Sequence, residues 1–238
     1  LIFSFLNHFF EILKWEALVS FYTKISRKTA AIQCLASLTA SLMTPNRIGE
    51  YGAKALYFDH SLRKQIVGLN LVGNFYQMAM TLIFGGIGFG YFVYHNRLSI
   101  VYDGIFRVVL LGVFVIAMLY YGAKHFKYGA YSFKKVNRFI KKIPYSLHLK
   151  IALLSFLRFT VFSHLFYFLL LIFKVDISYF DGISAIASMY MIASILPMLS
   201  LFDVVLKGTV ALWVFHFFKV DPIVILCITT LMWILNFV

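Results

Sequence analysis

The chain has 238 residues, of which 62% are hydrophobic and 13% charged, and its mean hydropathy is +0.86. Soluble domains average about 25% charged residues, so this composition excludes an ordinary water-soluble globule and reads as an integral membrane protein. The net charge of +13 would suit nucleic acid, but the cations sit mostly between apolar runs, where membrane topology puts them, and no nucleic-acid partner is expected.

The opening LIFSFLNHFFEIL carries His8 and Glu11 and lacks a small-residue cleavage pattern. It reads as the tail of a helix rather than a signal peptide. Because the chain starts at Leu1 and ends inside the apolar run ITTLMWILNFV, a fragment of a longer protein is expected. Residues 30–43 are apolar but too short to span a bilayer before Pro45, which predicts a half-helix. In TPNRIGEY, Thr44 can be an N-cap and Pro45 a first helical residue, so a new helix is expected to run through Ala53 and Tyr57. Its free N–H groups and dipole would make an anion site near Asn46 and Arg47. The Arg47 guanidinium has the donor fork that suits a phosphate. Glu50, one turn on, can hold Arg47, pair with Lys54 four residues later, or meet a cationic ligand group. A capped helix at the cytoplasmic face, with Glu50 neutralising Lys54, explains the same residues without a ligand.

Three stretches are long enough to span: roughly residues 66–94, 104–122 and 149–174. GGIGFG at residues 85–90 lies inside the first, with no strand before it and no Lys-Ser or Lys-Thr after it, so helix packing or a kink is expected rather than a nucleotide loop. A run of cations extends from Lys124 to Lys150, and no acid occurs from Gly104 to Val175. The positive-inside rule therefore puts the loop at 123–148 in the cytoplasm, Arg63 and Lys64 inside, and both the 95–103 loop and Lys174, Asp176 and Asp181 outside. Within the basic loop, KKVNRFIKK could lie on the membrane as an amphipathic helix, although topology alone already demands such a loop. Arg107, near a helix end, is expected to snorkel. Arg158 lies well inside its span and is a functional candidate with Glu50 or Asp203 as its expected partner, snorkelling being the alternative. His164, deeper still, reads as a hydrogen-bonded packing residue.

A second break follows at Pro197, within SILPMLSLFDVVLKGTVALWVF, and Asp203 and Lys207 repeat the acid and base at i and i+4. Ser200 and Asp203 also fit a capping box, which needs no ligand. Gly208 and Ala211 offer a small face for helix packing. Residues 208–218 are again short enough for a half-helix, the alternative being a full span at 182–201 and a thin one at 203–219. Interrupted segments in two halves point to a central site in transporters, because irregular backbone at membrane depth is tolerated only against protein or a wet cavity. The expected fold is an all-α, polytopic membrane bundle with re-entrant or broken helices. It forms a single transmembrane domain over 1–238 in the cell membrane, with candidate halves 1–122 and 149–238 that allow an internal repeat.

The Pro45, Arg47, Gly49 and Glu50 of TPNRIGEY, set between apolar segments, resemble the motif of the lysylphosphatidylglycerol synthase transmembrane (flippase-like) family, and LPMLSLFDVVLKG occupies the place of that family's second motif. Asn46 stands where the family often has Gly, and Asp203 and Lys207 stand where many members have glycines and a terminal Arg-Glu. The resemblance implies a multi-span domain that moves a phospholipid or lipid-linked headgroup, anionic or aminoacylated, between leaflets. Candidate substrate-binding residues are Pro45, Asn46, Arg47, Gly49, Glu50, Lys54, Arg158, Asp203 and Lys207. Cys34 and Cys227 belong to no CxxC or His-containing cluster, so neither disulfide nor metal site is expected. No catalytic set or cofactor site emerges either, and a homo-oligomer is compatible with the sequence. The alternatives are the membrane portion of an aminoacyl-phosphatidylglycerol synthase-type transferase lacking its catalytic domain, and a non-transporting membrane scaffold.

Overall fold

The computed structural model describes residues 1–42, 44, 48–96, 133–195 and 202–236. Every regular element among them is helical: α1 (Ile2–Val19), α2 (Arg27–Leu42), α3 (Ile48–Leu56), α4 (Arg63–His95), α5 (Phe133–Lys142), α6 (Tyr145–Ile172), α7 (Tyr179–Ile195), α8 (Asp203–His216) and α9 (Pro222–Leu235). The expected span at 104–122 with Arg107, the segment holding Pro45, Asn46 and Arg47, and the segment holding Pro197 and Ser200 lie outside the described residues.

Two helices, α4 with 33 residues and α6 with 28, are long and apolar enough to cross a membrane. At ~1.5 Å per residue they measure about 50 and 42 Å, against a hydrocarbon thickness of ~30 Å. They cover the spans expected at 66–94 and 149–174. The faces of α4 are inverted relative to a soluble helix. Leu71, Phe75, Met78 and Leu82 are exposed at i, i+4, i+7 and i+11. Asn70, Asn74, Gln77 and Thr81 repeat that spacing on a face about 100° away, where Asn70 is buried and the other three line a partly open cavity.

Two apolar clusters hold the bundle, one toward each end of α4 and α6. The first gathers Trp15, Leu18 and Val19 of α1 with Ala30 and Cys34 of α2, Ala55 of α3, Ile66, Leu69 and Val72 of α4, and Ile151 of α6. The second gathers Phe92 and Val93 of α4, Leu165, Phe166, Leu169 and Leu170 of α6, and inward residues of α7, α8 and α9. Because Phe3 packs on the second cluster and Val19 sits in the first, α1 also runs from one to the other. It is thus a helix of 18 residues joining both ends and not only the tail expected of LIFSFLNHFFEIL.

The shorter helices form two hairpins that approach the middle from opposite ends. In the first, α2 packs on α3, and the start of α2 and the end of α3 both feed the first cluster. Gly49 makes the tip of this hairpin close: a Cβ there would stand 2.3 Å from the carbonyl oxygen of Ala40. Thr44 accepts the Gly49 N–H at 2.8 Å, a capping role as expected, although the described helix starts at Ile48 and ends at Leu56. In the second hairpin, α7 packs on α8 and both arms feed the second cluster. The 17 residues of α7 and 14 of α8 are about 26 and 21 Å long, each short of ~30 Å. Among the described residues, α7 extends to Ile195 before the second break, and α8 begins at Asp203 rather than after Lys207.

Gly85 and Gly88 bring α4 against α7, since Cβ atoms there would lie 2.5 Å from Met191 Cβ and 2.7 Å from Ala187 Cβ. The GGIGFG run is a packing surface. Part of the segment expected as a basic loop is helix α5, with Phe139 against Gly68 of α4 and with Arg138, Lys141 and Lys142 exposed. The helix α9 starts on Asp221, whose carboxylate accepts the Ile223 N–H at 2.8 Å, with Pro222 at the first helical position.

Candidate functional site

Between the two apolar clusters lies a cavity of about 330 Å³. Helix α1 lends it Asn7 and Glu11, α3 lends Glu50, α4 lends Asn74, Gln77 and Thr81, and α6 lends Arg158 with Phe159 and Phe162. The second hairpin closes it with Tyr190 and Ser194 from α7 and with Asp203 and Lys207 from α8, and Asn236 arrives from the end of α9. Glu50, which follows the first break in sequence, and Asp203 and Lys207, which follow the second, thus line one space.

Glu11 is the hub of the charges. Its carboxylate pairs with Lys14 at 2.7 Å, with Lys54 at 3.6 Å and with Arg158 through the guanidinium Nη1. Arg158 Nε also donates to Asn7 Oδ1 at 3.1 Å. Lys54 is fully buried: its ammonium donates to Glu50 at 2.6 Å and to Asn70 Oδ1 at 3.3 Å, and lies 4.4 Å from the centre of the Trp15 ring. Ammonium and carboxylate groups removed from water survive only with such compensation, because leaving one partner bare costs several kcal/mol. Trp15 is itself fixed by donating Nε1–H to Gln33 at 2.7 Å.

The expected ion pairs Glu50 with Lys54 and Asp203 with Lys207 both form, each at 2.6 Å across one helical turn. They differ in setting. The first is buried, whereas about a third of each side chain in the second is exposed. Asp203 opens α8 with its carboxylate on Lys207, and the N-cap Phe202 makes no side-chain cap bond. Gly49 acts by packing, with Ala40 and Thr44 on the side where a side chain would be.

Arg158 departs from its expected pairing. Its partners are Glu11 and Asn7 of α1 and not Glu50 or Asp203, although all of these line the same cavity. Nor does it snorkel: helix α6 begins at Tyr145, so Arg158 lies about 20 Å from either helix end at ~1.5 Å per residue. His164 is a packing residue as expected, with Nδ1 at 2.7 Å from the Thr160 carbonyl and Nε2 at 2.9 Å from the Tyr179 hydroxyl.

The sequence reading missed Glu11, Asn7, Lys14 and the polar face of α4. The signal was present as spacing: Ser4, Asn7, Glu11 and Lys14 lie on one face of α1, as Asn70, Asn74, Gln77 and Thr81 do on α4. Polar residues at helical period inside an apolar helix mark an inward face. Among the described residues, no group of three or more His, Cys, Asp or Glu is placed to hold a metal ion, and Cys34 and Cys227 are free thiols. Comparison of the chain with protein-family models, curated proteins and solved structures finds no match.

Proposed function

We propose that this chain is a multi-pass membrane protein that carries a phosphate-bearing lipid headgroup between leaflets through the central cavity. One observation carries the reading: Glu11, Lys14, Lys54 and Glu50 form a charged cluster with Arg158, which lies halfway along α6, a helix long enough to span a bilayer. Charge at that depth is expensive and marks a substrate or ion path. Among the described residues the cations on the cavity wall are Arg158 and Lys207, beside Glu11, Glu50 and Asp203, and the Arg158 guanidinium has the donor fork that suits a phosphate. Arg47, three residues before Glu50 in the sequence, has a donor fork that suits the same phosphate.

The charge distribution supports the orientation. The exposed Arg138, Lys141 and Lys142, with Arg63 and Lys64, gather at the end of the first cluster, which becomes the cytoplasmic end. At the other end His95 meets Asp181 at 3.5 Å, joining two segments read as external. The α2–α3 and α7–α8 hairpins then act as re-entrant pairs from opposite leaflets, arranged as an inverted repeat is, and each closes one side of the cavity. Loosening one hairpin at a time would give the headgroup access to one leaflet at a time. The TPNRIGEY resemblance to the flippase-like family points the same way.

The test is translocation in reconstituted vesicles. Acyl-labelled phosphatidylglycerol should cross between leaflets faster with the chain than in protein-free vesicles, read by quenching of the outer-leaflet label. Equal rates would contradict the proposal and favour a scaffold.

A further inference from the structure

We infer that helix α5 is a membrane-surface helix whose cationic face binds the anionic headgroups of the adjoining leaflet. The inference needs the chain to sit in a bilayer and is independent of whether the cavity carries a lipid.

Helix α5 sorts its residues by face. At about 100° per residue, Phe133, Val136, Phe139 and Ile140 fall on one arc of the helix, and Lys134, Lys135, Arg138, Lys141 and Lys142 fall on the other. Topology alone calls for cations in this segment, but not for their separation from the apolar residues at helical period. With 10 residues, α5 is about 15 Å long, too short and too charged to cross a bilayer.

Its packing places it where a leaflet begins. Phe139 lies over Gly68 of α4, where a Cβ would stand 3.0 Å from the ring, and Ile143, just past the helix, belongs to the first apolar cluster. Pro144, in an extended conformation, then turns the chain into α6. His148 ties α5 and α4 to α6, with Nε2 at 3.3 Å from the Ile140 carbonyl oxygen and Nδ1 at 3.0 Å from the Tyr76 hydroxyl. Beyond the turn, Tyr145, Leu149 and Leu153 are exposed at i, i+4 and i+8 of α6, and Ile140 is exposed on α5. Such an apolar strip suits lipid, and a tyrosine at its start suits the headgroup level.

The cationic face is left for a partner outside the chain. Arg138, Lys141 and Lys142 are exposed and enter no ion pair among the described residues, and no acid occurs from Gly104 to Val175. Lys64 and Lys150, also exposed, lie at the same end of the bundle. Cations without an acid, next to exposed apolar side chains, fit an anionic phospholipid surface. A neutral surface would leave the cations without counter-charge, and a soluble acidic partner would leave Ile140, Tyr145 and Leu149 facing water.

Fluorescence quenching in the full chain tests this. With Cys34 and Cys227 replaced by Ser, a dye attached through Ile140→Cys reports the lipids around α5 in phosphatidylcholine nanodiscs. Traces of phosphatidylserine or phosphatidylcholine, each spin-labelled close to the headgroup, are the quenchers. Phosphatidylserine should half-quench the dye at a mole fraction at least about fivefold lower than phosphatidylcholine, the effect of a single cation near an anionic surface. High salt should close that gap, as should Arg138→Gln, Lys141→Gln and Lys142→Gln together, while quenching by phosphatidylcholine stays as in the parent. Equal quenching by the two lipids in the parent, or quenching by neither, overturns the inference. So does a gap that survives the triple substitution, or one that Lys24→Gln with Lys28→Gln removes, because the charge would then belong to that end as a whole. Equal quenching combined with shielding of the dye by soluble polyglutamate would overturn it in favour of an acidic protein partner. A triple variant that fails to fold loses quenching by both lipids, and the salt dependence of the parent then decides alone.

Discussion

Glu11→Gln is expected to lower the folding stability of the chain by about 3–5 kcal/mol, the range for breaking a buried ion pair from one side. The carboxylate is shared by Lys14, Lys54 and Arg158, so its removal leaves three cations together with, among the described residues of the cluster, Glu50 to balance them. Lys14 suffers most, being 1% exposed with Glu11 as its ion-pair partner. Denaturing-detergent titration followed by circular dichroism measures the loss. Glu11→Asp keeps the charge and should cost much less, and Glu11→Gln combined with Lys14→Gln should recover part of the loss because one bare cation is removed. A Glu11→Gln chain as stable as the parent would mean that the cluster is open to water.

Arg158→Gln should slow lipid translocation by about 10- to 100-fold, the worth of one charge-assisted hydrogen bond to a phosphate. Its stability cost should be smaller than that of Glu11→Gln, because Glu11 keeps Lys14 and Lys54. The two substitutions therefore separate what holds the site from what uses it. Arg158→Lys keeps the charge but loses the fork that reaches both Asn7 and Glu11, and should fall between parent and Arg158→Gln. Translocation that is unaffected by Arg158→Gln would remove the arginine from the path.

Much of the architecture was legible because it is local. Hydropathy over a window finds α4 and α6, proline and an acid–base pair at i and i+4 locate both breaks, and glycine spacing identifies the α4 face that meets α7. The site was legible only in part. Arg158 and Glu11 are 147 residues apart, and no spacing rule joins them. Windowed hydropathy also hides α1, because Glu11, Lys14 and Glu16 dilute a helix whose charges all have partners in the fold. The polar face of α4 escaped for the opposite reason: four amides and hydroxyls scarcely lower the average of 33 residues, and only their period gives them away. Helix α5 was legible only as one of two readings of KKVNRFIKK, an amphipathic helix or a loop, because the topology rule already accounts for its basic composition.

The account turns on a wet cavity at mid-depth that a lipid headgroup can fill, and thiol accessibility in vesicles tests this most directly. In a chain with Cys34 and Cys227 replaced by Ser, Thr81→Cys and Leu82→Cys place thiols at one depth of α4, the first on the cavity wall and the second on the exposed apolar face. The Thr81→Cys thiol should react with a small polar maleimide and be protected by phosphatidylglycerol, and the Leu82→Cys thiol should stay inert. Equal reactivity at the two positions, or no protection by the lipid, would contradict the account.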